Sequence, residues 1–218
     1  MTTNDLETVA RALGIVAYGI ALSIGGLGAL RGRRHPSSIG AGVAARRGAL
    51  PAYLLTAIPY YLVCAALWRP LPVEPSTGGQ VVALMVAVVL GPAGFALYVS
   101  AHIALGSSYD VSGGLGTVVH DDAALVTTGP YAIVRHPMYL GVTLGAVAGL
   151  LLYRTWTFVW VLASLVAIAR KARIEDSLLA ERFRDDFAKY RADVPGWIPR
   201  LRRRPRAGAT RAWPASSG

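Results

Sequence analysis

Charge is scarce in this sequence. Asp, Glu, Lys and Arg make up 16% of its 218 residues, where a soluble domain carries roughly a quarter. The deficit argues against a disordered chain and against an ordinary soluble enzyme. Acidic residues are the rarer sign, 12 against 22 basic ones, which leaves a formal net charge of +10. With one cysteine, Cys64, the chain has no internal disulfide from which to read a redox compartment. Its four histidines lack the paired spacing of a structural zinc site. No Ser-His-Asp or Cys-His arrangement points to a covalent nucleophile.

Apolar residues are what the chain has in excess: 54% of it is hydrophobic and the mean hydropathy is +0.44. Five apolar stretches follow one another, Ala12 to Leu30, Leu50 to Trp68, Val81 to Leu105, Met138 to Tyr153 and Trp156 to Ala169. A helix needs around 20 residues to cross the hydrocarbon core. The first three stretches meet that length. The last two flank Arg154-Thr155 and read as a tight helical hairpin, whose second arm continues past Ala169 through Lys171 to Glu175. Pro137 stands at the expected start of the fourth helix, where its missing N–H costs nothing, and Gly91-Pro92 should kink the third without ending it.

The expectation is therefore an all-α, integral membrane helical bundle of about five transmembrane helices with a C-terminal amphipathic helix. Three units are expected: three N-terminal helices (1–105), a core of loop, hairpin and amphipathic helix (106–200), and a basic disordered tail (201–218). Nineteen of the 22 basic residues fall on one side of a five-span arrangement, against Arg11, Arg69 and Arg154 on the other. The positive-inside rule makes the richer side cytoplasmic and puts the N-terminus outside. The acidic opening Met1 to Glu7 is unlike a signal peptide, so the first helix is expected to be retained. The tail Arg200 to Arg204 and the basic first loop (Arg31, Arg33, Arg34, Arg46, Arg47) read as contacts for anionic lipid rather than for nucleic acid. Trp197 reads as an interfacial anchor.

The loop between the third and fourth stretches, about Gly106 to His136, is the longest and least lipid-like, a property of functional or disordered segments. Helix rise puts Arg135-His136 and Lys171, Glu175 and Asp176 at similar depth on one side of the bilayer. A zwitterionic ligand with hydroxyls suits such a mixture of charges. Plainer readings apply elsewhere. Gly145 and Gly149 suggest close helix packing. Gly113-Gly114-Leu115-Gly116 lacks a dinucleotide-site context. Asp121-Asp122 reads as a solvated turn, His102 as a buried hydrogen-bonded group, and His35 and His120 as loop residues.

The motifs Gly129-Pro130-Tyr131, Arg135-His136-Pro137-x-Tyr139-x-Gly141, Glu175-Asp176, Phe183, Tyr190 and Val194-Pro195 occur in one order and spacing. In these the segment Ala123 to Pro199 resembles the isoprenylcysteine carboxyl methyltransferase family, close to the phospholipid methyltransferases. The resemblance implies a membrane methyltransferase with S-adenosylmethionine as cofactor, contacted by Leu125, Val126, Tyr131, His136, Pro137, Met138, Tyr139, Glu175 and Asp176. It further implies a lipophilic or small O, S or N acceptor, with Arg135 and Lys171 orienting the acceptor or its developing charge. Lys171 stands where the family usually has an arginine, which replaces a planar fork by a point charge. Arg184 and Phe187 replace a usual glycine and tyrosine, substitutions an amphipathic helix should tolerate. Other acceptors (a phospholipid amine, a small thiol, an isoprenoid carboxylate) remain open beside the family's own. So does a non-catalytic scaffold or a transporter, although a transporter should carry intramembrane charges or paired broken helices. A bacterial inner membrane is the expected location.

Overall fold

The structure, a computed structural model, describes residues 2–31, 37–41, 49–106, 116–120 and 124–199. Arg33, Arg34, His35, Arg46, Arg47, Gly113, Gly114, Asp121, Asp122 and the basic tail from Arg200 onward lie outside the described residues. Among the described residues the body consists of five helices: α1 (Thr3–Arg31), α2 (Ala49–Ala66), α3 (Thr77–Leu105), α4 (Pro137–Tyr153) and α5 (Trp156–Asp193). The helical expectation needs one addition. Ser37–Ala41 (β1) pairs antiparallel with Gly116–His120 (β2), so His120 belongs to a short two-stranded ribbon rather than to an irregular loop.

Capping chemistry carries two helices beyond their apolar runs. At the start of α1, the Thr2 amide donates to the Asp5 carboxylate (2.7 Å) and the Asp5 amide donates to the Thr2 hydroxyl (3.3 Å). This reciprocal pair satisfies two of the amides that a helix start leaves orphaned. Ser76 caps α3 with a single bond, its hydroxyl accepting from the Gly79 amide at 3.3 Å. Pro137 begins α4 as expected, and α3 continues through Pro92 without ending.

The helices alternate in direction. One end of the molecule gathers the starts of α1, α3 and α5 with the ends of α2 and α4. There Arg154, left-handed at φ 49°, ψ 48°, turns the chain between α4 and α5. The α2–α3 connection hydrogen-bonds along that turn: the Leu71 amide donates to Arg154 (2.7 Å), and the Trp156 and Thr157 amides donate to Arg69 and Leu67 (3.1 Å each). Glu7 of α1, buried, takes both Arg11 (2.5 Å) and Arg154 (2.8 Å) on one oxygen. The α4–α5 hairpin inferred from Arg154-Thr155 is thus present and clasped to the other three helices.

The tightest packing is between α3 and α4, and small residues make it. Leu84 and Ala87 meet Ala148 and Leu152. At the crossing, a Cβ on Gly94 would lie 2.7 Å from the Gly141 carbonyl oxygen, and one on Gly141 would lie 2.6 Å from that of Gly94. Such backbone approach is the usual means of helix association in lipid, where burial of apolar surface drives nothing. Close packing holds for Gly149 as well, whose Cβ would enter the Phe158 ring, whereas a Cβ on Gly145 would meet open space.

Among the described residues, two helices are long and apolar enough to cross a membrane, Thr3–Ile24 and Thr77–Leu105, and there are two shorter apolar helices, Leu54–Ala66 and Pro137–Tyr153. Only 6% and 17% of the two long windows is buried. A core helix of a soluble fold is mostly buried, and these are not. Leu13, Val16, Met85, Val89 and Ile103 instead present an apolar exterior of the kind that lipid covers.

Candidate active site

The opposite end of the molecule holds the polar residues expected to converge. The 3-10 turn Gly129–Ala132, held in place at Gly129 by a positive φ of 59°, leads through Val134 into Arg135 and His136 at the mouth of α4. The second arm of the hairpin returns Lys171, Glu175 and Asp176 to the same place. His136 is buried, and its Nε2 lies 3.2 Å from Asp176 Oδ1, with Nδ1 3.9 Å from Glu175 Oε2. The Tyr139 hydroxyl donates to Glu175 Oε1 at 2.5 Å. Lys171 Nζ stands 3.7 Å from that same oxygen.

Arg135 is engaged on every side. Its Nη2 and Nε face the two Asp176 oxygens at 2.8 and 3.4 Å, and its Nη1 donates to the Val194 carbonyl at 2.6 Å. Burial on its own would raise the Asp176 pKa, but hydrogen bonds from His136 and Arg135, then their charges, outweigh it and hold the carboxyl at about 2. Asp176 is therefore ionised throughout the physiological range and serves as the hub joining Arg135 to His136. Glu175, one residue earlier on the helix, is half-buried, with its second oxygen turned toward His136.

The remaining cofactor candidates divide. Tyr131 and Pro137 are buried beside the cluster and Met138 is half-buried at the first turn of α4. Burial, and then the Glu175 charge, raise the Tyr131 pKa, and burial pushes Tyr190 up to about 12. Both phenols therefore stay neutral, and the Tyr190 hydroxyl donates to the Tyr131 carbonyl at 2.8 Å. Leu125 packs against Phe187, Tyr190 and Val194, so its side chain belongs to an apolar cluster under the site. Val126 is half-buried next to it.

Two features escaped the sequence. The C-terminal helix is not one amphipathic rod, because α5 breaks at Arg184 (φ 43°, ψ −113°). The break redirects Phe187, Tyr190 and Val194 onto Leu125 and Phe183. The chain then runs back along the start of α4, where the Arg135 amide donates to Pro195 (2.9 Å) and the His136 amide to Gly196 (3.0 Å). The second feature is Trp197. It does not stand out as a lipid anchor: its ring stacks near-parallel to Tyr139 at 6.0 Å (24°) and lies 5.9 Å from the His136 ring. His136 and Tyr139 stack at 5.7 Å, closing a triangle of three rings. The family's usual glycine at position 184 was the available signal for the break. Nothing in the sequence turned Trp197 inward.

Comparison with known proteins agrees with this geometry at the level of class. Residues 82–186 match the model of the phospholipid methyltransferase family, which with the apolar helices supports a membrane methyltransferase. The chain is similar to the cobalt-zinc-cadmium resistance protein CzcN of Cupriavidus metallidurans, 38% identical over 79 residues, covering 35% of this chain and 36% of that protein. It is similar to the nickel-cobalt-cadmium resistance protein NccN of Alcaligenes xylosoxydans xylosoxydans, also 38% identical over 79 residues, covering 35% and 37%. It is similar to the protein-S-isoprenylcysteine O-methyltransferase of Schizosaccharomyces pombe, 34% identical over 80 residues, covering 36% and 34%. The matched segment spans about a third of the length of each of these relatives. The resemblance read from the Arg135-to-Gly141 and Glu175 motifs is borne out.

Proposed function

We propose that the protein is an integral membrane methyltransferase that takes its methyl group from S-adenosylmethionine and delivers it to a lipophilic or small acceptor. The observation that carries this reading is the convergence of His136, Tyr139, Glu175 and Asp176, from two arms of one hairpin, inside the segment that matches the methyltransferase family.

The residues fit that donor by their chemistry. Glu175 retains acceptor capacity for hydroxyls or an ammonium group, and buried His136 lies beside a stack of aromatic rings suited to a flat base. When bound, S-adenosylmethionine supplies a methyl group activated by its sulfonium, so the protein contributes position and dryness rather than a nucleophile. Glu175 and His136 hold; Tyr139 fixes the Glu175 rotamer by donating to it. Asp176 and Arg135 act one step back, joining α4, α5 and the Val194 backbone into one rigid wall. With the Arg135 fork spent on those partners, Lys171 is the cation placed to meet an acceptor or the charge that develops on it. The apolar exteriors of α1 and α3 give a lipid-borne acceptor a route to the same wall. In this reading the site is cytoplasmic, five helices span a bacterial inner membrane with the N-terminus outside, and the basic tail rests on anionic lipid. The acceptor most like that of the similar yeast enzyme is an isoprenylated carboxylate, with a phospholipid amine or a small thiol as alternatives.

The test is binding of S-adenosylhomocysteine to the purified protein in detergent by calorimetry. Wild type should bind, and His136→Ala and Glu175→Ala should each weaken binding by about tenfold or more, the loss of one charge-assisted hydrogen bond. A folded wild type that binds nothing refutes the reading. Methyl-labelled cofactor with lipid extracts and small thiols then identifies the acceptor.

A further inference from the structure

Of the segment after the last helix, the motifs include Val194-Pro195 and leave Gly196 and Trp197 unassigned. Val194, Pro195 and Gly196 lie along the mouth of α4 through three hydrogen bonds to Arg135 and His136. The approach is close enough that a Cβ on Gly196 would lie 3.4 Å from the Arg135 guanidinium. Their backbone therefore fixes where the next side chain goes. Ile198 is 80% exposed, while Trp197, one residue earlier, is half-buried, with its ring stacked on Tyr139 and tilted 38° to the His136 ring. An indole that served as a lipid anchor would point out beside Ile198. This one points in, over the residue that holds Glu175.

We propose that Trp197 is a ligand-binding residue, whose indole completes an aromatic wall with Tyr139 and His136 that receives the purine base of the cofactor, and that the Val194–Gly196 strap exists to present it. The inference rests on the methyltransferase reading of the site and adds a residue and a recognition mode to it. Aromatic rings gain about 1–3 kcal/mol per stacked base by alanine substitution, so the wall is a strong contributor to affinity. A ring wall reads the base and is indifferent to the charge on sulfur. A cation–π role would instead favour the sulfonium over the uncharged product. The two modes separate by comparing ligands.

The experiment measures binding of S-adenosylhomocysteine, S-adenosylmethionine and adenosine to wild type, Trp197→Ala, Trp197→Phe and Ile198→Ala in detergent. The alanine variant should lose about 5- to 100-fold in affinity for all three ligands alike, the phenylalanine variant should recover most of it, and Ile198→Ala should bind as wild type does. Tryptophan emission gives a readout on the conservative variant, should Trp197→Ala not fold. Quenching by S-adenosylhomocysteine should be present in wild type and lost in Trp197→Phe, which keeps the other four tryptophans. Equal affinity in a folded Trp197→Ala protein, or quenching that persists in Trp197→Phe, overturns the proposal and leaves the methyltransferase reading standing. A loss confined to S-adenosylmethionine overturns the base-stacking mode. A wild type that binds none of the three overturns both readings together.

Discussion

Replacing Arg184 by glycine should stabilise the protein. Arg184 interrupts α5 with φ 43° and ψ −113°, a conformation in which a Cβ is crowded by its own backbone. Gly106 has nearly the same angles (φ 50°, ψ −120°) where α3 ends, and there the chain uses the residue that tolerates them. A non-glycine residue so placed costs about 1–3 kcal/mol, and glycine gives back about 0.5–1 kcal/mol through its greater freedom in the unfolded chain. The difference is a gain of about 1 kcal/mol. The arginine side chain is exposed, so little contact energy is lost with it. For a chain of this length that gain raises Tm by about 2–4 °C, read by circular dichroism in detergent. Arg184→Ala is the control, because it removes the guanidinium and keeps the Cβ. It should show no such rise. A fall in Tm for Arg184→Gly, or an equal rise for Arg184→Ala, refutes the backbone argument, the second by assigning the effect to charge.

Two further outcomes follow from the packing and electrostatics. Asp176 has its carboxyl depressed from 3.8 to about 2, so its ion pairs stabilise the folded state fully above about pH 4 and are lost as the pH falls toward 2. Thermal unfolding measured across that window should show Asp176→Asn with a flatter pH dependence than wild type; parallel curves would remove Asp176 from the acid response. A methyl group on Gly149 would enter the Phe158 ring, so Gly149→Ala should destabilise by about 1–3 kcal/mol. Phe158→Ala in the same chain should recover part of that loss, and strict additivity in the double-mutant cycle would show the two do not meet.

Much of this protein was legible in its sequence because the bilayer leaves few choices. An apolar run that faces lipid must satisfy its own backbone, and the runs around Val81 to Leu105 and Met138 to Tyr153 are helices as expected. Arg154-Thr155 was too short a gap for anything but a hairpin, and the hairpin by itself brings Arg135-His136 level with Glu175-Asp176. Residue chemistry then pointed to the cluster, and the order of its motifs to a resemblance that the match of residues 82–186 to the phospholipid methyltransferase model supports. The ends of the helices were less legible, because Thr2 with Asp5 and Ser76 with Gly79 extend α1 and α3 by hydrogen bonds that hydropathy does not register. What only the tertiary structure decided is which partners the side chains of the cluster meet. Arg135 is consumed by Asp176 and Val194, Leu125 by an apolar cluster, and Trp197 faces Tyr139 instead of the exterior. Those assignments depend on a backbone break at Arg184 that costs energy locally and is held by Phe187, Tyr190 and Val194 packing on residues some sixty positions earlier. A periodic pattern records which face of a helix is apolar. It carries no record of strain maintained from a distance, and so the return of the chain over the site was fixed by packing alone.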